Sequence, residues 1–92
     1  MKQFLVVAYD ISSNRRRRKI AALLEGYGIR CNESVFECIV SESQVKFIKR
    51  SIEKIILPKT DSVLLYYLCQ PCTLKRESFG CTHPFDPEIV VV

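Results

Sequence analysis

The chain has 92 residues, a formal net charge of +4 and a hydrophobic fraction of 48%, which fit one small folded domain and exclude an intrinsically disordered chain. No apolar run approaches the roughly 20 residues needed to span a bilayer, and Met1-Lys2-Gln3-Phe4 lacks the features of a secretory signal, so a soluble cytoplasmic protein without membrane contact is expected. Five cysteines, an odd number in a chain read as cytoplasmic, argue against a disulfide framework and for reduced thiols.

Phe4 to Ile11 is a continuous apolar run rich in β-branched and aromatic residues, which predicts a central, buried strand. Asp10 falls at or just past the end of that strand. Ser12, Ser13 and Asn14 supply turn and helix-capping residues. A helix is predicted from about Arg15 to Tyr27, because Ile20, Leu23, Leu24 and Tyr27 recur at i, i+3, i+4 and i+7. Gly26 and Gly28 mark its C-terminal stop.

That helix opens on Arg15-Arg16-Arg17-Arg18-Lys19, the densest positive charge in the chain. At about 100° per residue, Arg16 and Arg17 flank the apolar stripe and face the sheet near Asp10, whereas Arg15 and Arg18 point away. Cations crowded at a helix N-terminus meet the positive end of the dipole. An anionic ligand would relieve this. The alternative is an ordinary solvated helix face.

Ile29 to Val40 reads as the next strand region, taken either as one bent strand or as two. Its best part is Ser34 to Val40, where Phe36, Cys38 and Val40 alternate with Val35, Glu37 and Ile39; one set is assigned to the core and the other to an interface. Ser41-Glu42-Ser43-Gln44 has capping-box spacing. The helix that follows, to about Ile56, carries Val45, Ile48, Ile52 and Ile55 on one face. Leu57 to Asp61 is a breaker and turn, and Ser62 to Cys69 a further strong strand. A short strand within Leu74–Gly80 is also expected. Residues 1–80 form one domain. Residues 81–92, punctuated by Pro84 and Pro87 and ending Ile89-Val90-Val91-Val92, form an extension that adds as an edge strand to its own sheet or a partner's.

The resulting order, β-α-β-β-α-β, is that of an α+β, ferredoxin-like sandwich: an antiparallel sheet with two helices on one face. Its other face needs a partner, so a homodimer through the sheet face is expected.

Few groups carry chemistry. Asp10 is the single acid closing an apolar strand. It is either a capping or turn acid or a Mg²⁺ ligand, which two copies across a dimer axis would make a pair. Glu37 lies inside a strand, whereas Asp61 and the other acids are assigned to helix surfaces or loops. Cys69-x-x-Cys72 with Cys81-x-His83 has zinc-like spacing, against the alternative of packing thiols. Tyr9, Phe36, Tyr66 and Tyr67 are core or interface aromatics, or else platforms for nucleobases.

Tyr9-Asp10-Ile11, the Arg-rich helix start, Leu23 to Gly28, and Ser34-Val35-Phe36-Glu37-Cys38 together resemble the Cas2 family of CRISPR-associated proteins, over most of residues 3 to 80. The resemblance implies a homodimer with sheets face to face and the C-terminal strand crossing to the partner. It implies a Mg²⁺-dependent endonuclease acting on single-stranded RNA or on DNA, with Asp10 as the catalytic, metal-binding residue. It implies nucleic-acid contact by Tyr9, Arg15, Arg16, Arg17, Arg18, Arg30 and Phe36, and a partnership with the Cas1 integrase in capturing new spacers. Asn32 and Glu33 depart from the Gln and aromatic that often precede Ser-Val-Phe in the family. Two further readings stand beside the nuclease: a non-catalytic subunit bridging Cas1 on duplex DNA, and a ribonuclease toxin of the same fold.

Overall fold

The computed structural model of the chain describes residues 2–69, 75–77 and 79. The elements in order are β1 (Gln3–Asp10), α1 (Asn14–Glu25), β2 (Gly28–Asn32), β3 (Val35–Val40), α2 (Glu42–Ile55) and β4 (Ser62–Leu68). They form a four-stranded antiparallel sheet in the order β2-β3-β1-β4, the ferredoxin-like arrangement expected from the sequence. The region 29–40 is two strands. A register shift between Arg30 and Asn32 precedes the turn at Glu33 and Ser34.

The core half of the β3 alternation sorts as predicted. Phe36, Cys38 and Val40 join Leu5, Val7 and Tyr9 of β1 beneath Ile20, Leu24, Ile48 and Ile52 of the helices. Burying each large aliphatic side chain of this set contributes about 1.5–3 kcal/mol relative to leaving it in water. Phe4, Val6, Ala8 and Asp10 lie on the opposite face of β1, in register with Leu68, Tyr66, Leu64 and Ser62 of β4. Leu64 and Tyr66 are 54% and 51% exposed, so among the described residues no helix covers this half of the sheet.

Local signals set the helix starts. Ser13 caps α1, its Oγ accepting from the backbone N–H of Arg16 at 3.3 Å. Ser41 caps α2 in the predicted capping box: its N–H donates to Gln44 Oε1 at 2.8 Å, and Gln44 N–H returns to Ser41 Oγ at 3.3 Å. Gly26 closes α1 in an ordinary right-handed conformation, so another residue would serve there. Gly28 is different. A Cβ added to it would lie 2.1 Å from the Glu37 carbonyl oxygen and 2.7 Å from Cys38 Cα, so β2 approaches β3 this closely only without a side chain.

The strand expected within Leu74–Gly80 is corrected at its described residues: Lys75, Arg76, Glu77 and Phe79 carry no strand. The C-terminal edge strand, and Cys72, Cys81 and His83 of the zinc-like spacing, lie outside the described residues. Among the described residues no helix is long and apolar enough to cross a membrane.

Candidate nucleic-acid and metal site at the end of β1

Asp10 is the last residue of β1, exposed, and paired in register with Ser62. Because Ser13 takes the capping role, the carboxylate is not needed to hold α1. Among the described residues no hydrogen bond or ion pair engages it. It borders a depression of about 530 Å³ whose walls include Asn14, Arg17, Arg18, Arg30 and Glu33. The C-terminal end of β1, the first two turns of α1 and the β2–β3 turn thus converge where the sequence placed a carboxylate next to cations.

The arginines divide in a way the helical projection did not show. Arg16 and Arg17 do face the sheet, but the protein itself occupies them. Arg16 Nε donates to Asp61 Oδ2 at 2.6 Å and its NH2 group to Asp61 Oδ1 at 3.1 Å. Asp61 is buried, which corrects its assignment to a surface loop. It also accepts from Leu57 N–H at 3.0 Å and from Thr60 Oγ1 at 3.2 Å, so one carboxylate organises the turn between α2 and β4. The hydrogen bond and charge of Arg16 hold the Asp61 carboxyl well below the usual carboxylate range. Arg17 donates to the carbonyls of Ile11 at 2.7 Å and Ser12 at 3.3 Å. It neutralises the strand-to-helix turn while still lining the depression. Arg15, Arg18 and Lys19 remain exposed.

Of the four aromatics singled out, Tyr9 and Phe36 are core residues, whereas Tyr66 and Tyr67 are about half exposed. Tyr9 is 5% exposed and Phe36 fully buried, their rings stacked with centroids 6.4 Å apart. Tyr9 donates its hydroxyl to the Glu33 carbonyl at 3.1 Å, and burial pushes its phenol up, so it stays protonated. Phe36 acts through a neighbour: the guanidinium of Arg30 lies 5.4 Å from its ring centroid and reaches Glu25 at 3.7 Å. The ring seats the cation, which also shares an exposed ion pair with Glu25.

Glu37, the acid within a strand, is not at this site. It lies on the uncovered sheet face, paired with Arg76 at 2.5 Å and beside Cys31. Burial, then the neighbouring Glu37, pushes the Cys31 thiol up to about 12; burial and Glu37 push Cys38 up to about 11. Both stay protonated and serve as packing residues, as expected of reduced cysteines.

Among the described residues no group of three or more acidic, histidine or cysteine side chains converges as a metal cluster. The donor set of one chain is a single exposed carboxylate. That fits Mg²⁺, which retains several waters and binds through one or two carboxylates and substrate phosphate, and not a tightly caged ion.

The family model described as CRISPR associated protein Cas2 matches residues 2–76. The chain belongs to the Cas2 family. It is 48% identical over 63 residues to a Synechocystis protein named CRISPR-associated endoribonuclease Cas2 3, a match covering 68% of each chain. Among solved structures it resembles Streptococcus pyogenes Cas2, with a TM-score of 0.76 and 34% identity over 84% of this chain and 99% of that one. A chain of a partial Cas6-RT–Cas1–Cas2 complex shares the fold, with a TM-score of 0.68 at 22% identity over 83% of this chain and 89% of that one. Family membership therefore bears out the resemblance read from the Tyr9-Asp10-Ile11 and Ser34-Val35-Phe36-Glu37 motifs.

Proposed function

We propose that this Cas2-family chain is a Mg²⁺-dependent endonuclease of CRISPR spacer acquisition, working as a homodimer with Asp10 as its catalytic carboxylate. The observation that carries this reading is the Asp10 carboxylate itself: exposed, unengaged by described residues, and set at a strand end against a basic depression. A relative named an endoribonuclease supports the reaction class. Asp10 would hold the ion together with substrate phosphate and, across the dimer axis, the second copy's carboxylate. Bound there, the ion supplies charge stabilisation for phosphodiester cleavage and activation of a water. Arg17, Arg18 and Arg30 line the approach and orient the phosphate backbone, with Arg15 extending the basic surface. The test is Mg²⁺-dependent cleavage of single-stranded RNA and of DNA by purified Asp10→Ala. Cleavage falls by at least about 100-fold; cleavage at the wild-type rate overturns the assignment.

A second reading is supported by Arg15, Arg18 and Lys19, which are exposed. Here the dimer bridges copies of the Cas1 integrase on duplex DNA, neutralising phosphates without reading sequence. The fold it shares with a chain of a Cas1-containing complex is compatible with that role. This reading expects Asp10→Ala to retain both duplex binding and spacer capture in cells, and loss of capture by that variant counts against it.

A further inference from the structure

Glu33 borders the same depression as Asp10, and the chemistry proposed there does not use it. It sits with Ser34 in the tight turn between β2 and β3, bounded by the paired residues Asn32 and Val35. The turn is fixed from both sides. Asn32 Oδ1 accepts from the Glu33 backbone N–H at 2.6 Å. Tyr9, the residue before Asp10, donates its backbone N–H to the Ser34 carbonyl at 3.0 Å and its hydroxyl to the Glu33 carbonyl at 3.1 Å. The backbone that carries Glu33 is therefore tied to the strand end that carries Asp10. The Glu33 side chain is exposed. Arg17, Arg18 and Arg30 line the same space, yet among the described residues no hydrogen bond or ion pair engages the Glu33 carboxylate.

An unpaired carboxylate does not suit a surface built only for phosphate, because it repels that anion and works against the neighbouring arginines. It suits a ligand that presents a donor. In a nucleic acid the donors are base N–H groups and, in RNA, the 2′-hydroxyl. Base edges are free in a single strand, and a carboxylate only accepts. Guanine is the match: its N1–H and N2–H lie side by side, one for each carboxylate oxygen. Uracil offers one N–H between two carbonyl oxygens, which a carboxylate repels. Adenine and cytosine offer a single amino group beside a ring acceptor. Arg30 supplies the second part of a base site. Its guanidinium is seated 5.4 Å from the Phe36 ring centroid while the side chain stays 46% exposed, and guanidinium planes stack on unpaired bases. The depression, at about 530 Å³, lies within the roughly 300–1,000 Å³ of small-ligand sites, room for one nucleotide.

We propose that Glu33 and Arg30 form a base-reading subsite beside Asp10 that prefers guanine in a single-stranded nucleic acid, with Arg30 stacked on the base and the Glu33 carboxylate accepting from N1–H and N2–H. Resting on the nuclease reading of the same depression, the subsite adds a specificity to it: the nucleotide next to the phosphate held at Asp10. Contacts of Arg17 and Arg18 with phosphate carry no sequence information. Glu33 supplies it, by attracting guanine and by repelling uracil.

The test is binding rather than cleavage, measured on the full chain without Mg²⁺, so that it does not depend on the metal role of Asp10. Fluorescence titrations compare short oligouridines carrying one central guanosine, inosine or uridine, together with DNA strands of matching sequence. The guanosine strand is expected to bind about tenfold tighter than the all-uridine strand, with inosine, which lacks the N2 amino group, in between. Glu33→Gln is expected to lose the guanosine preference while binding oligouridine at least as tightly, because the repelling charge is gone. A Glu33 that only shaped its turn would change neither, since its turn contacts are made by the backbone. Equal affinity for the guanosine and uridine strands, or a preference that survives in Glu33→Gln, overturns the proposal and leaves the nuclease reading standing. A preference for RNA over DNA without a base preference assigns the carboxylate to the 2′-hydroxyl and overturns it as well. Failure to bind any single strand overturns it together with the nucleic-acid reading of the depression.

Discussion

Arg16, in the first turn of α1, holds both oxygens of the buried Asp61 carboxylate, at 2.6 and 3.1 Å, across 45 residues of sequence. Asp61 immediately precedes Ser62, the register partner of Asp10. One ion pair therefore ties the α2–β4 turn to the helix that follows the candidate catalytic strand. Arg16→Ala leaves a buried carboxylate without its cation, and Arg16→Lys cannot restore the two-pronged geometry. Both variants lower the thermal midpoint, Arg16→Ala by roughly 5–10 °C, checked by calorimetry.

The same pair sets an acid limit. The folded-state pKa of Asp61 is depressed, so its contribution to stability is complete above the unfolded carboxylate value of about 3.9. It is lost as the pH falls from there towards the lower folded value. Wild-type stability should decline below about pH 4, and Asp61→Asn, less stable at neutral pH, should decline less over that range. Unfolding curves recorded from pH 2 to 7 check this.

At Gly28 the prediction is steric. Gly28→Ala places a methyl group against the Glu37 carbonyl and the Cys38 backbone, groups that cannot move without disturbing the β2–β3 ladder. Denaturant unfolding should show a loss of about 3 kcal/mol, with β2 amides the first to lose exchange protection. Gly26→Ala, where the backbone is right-handed and the nearest contact is 3.5 Å, should be nearly neutral.

The exposed arginines make a salt-dependent prediction. If Arg15 and Arg18 each neutralise one phosphate, replacing both with alanine reduces the slope of log affinity against log salt by roughly 1.4–1.8. The loss should be similar for unrelated sequences. Titrations at several salt concentrations measure it, and an unchanged slope would place the nucleic acid elsewhere.

The uncovered sheet face makes an assembly prediction. Leu64 and Tyr66 are about half exposed there, beside Val6 and Ala8 of β1. A homodimer through this face buries them, so Leu64→Asp should shift the protein from dimer to monomer in sedimentation. Phe47→Asp, exposed on α2, should leave the mass unchanged.

Much of this fold was legible because its signals are local. The β-branched run before Asp10, the Ser41 to Gln44 capping box and the apolar stripes of the two helices each act within a few residues, and each appeared where expected. So did the convergence of Asp10 with Arg17, because a strand, a short turn and a helix start cannot lie far apart; Arg18, expected to point away, lines the same depression. Side chains whose partners come from distant elements were not legible. A helical wheel directs Arg16 towards the sheet but does not say that Asp61 waits there, and the Glu37–Arg76 pair spans 39 residues. Nor does composition tell that Phe36 works from beneath, by seating Arg30, or that the cap belongs to Ser13 and leaves Asp10 exposed. The sequence by itself determined the elements, their order and the family, because helix and strand periods and turn chemistry are short-range. Only the tertiary structure decided which charges are spent inside the protein and which remain for a ligand, because buried ion pairs form between elements that meet only once the sheet has closed.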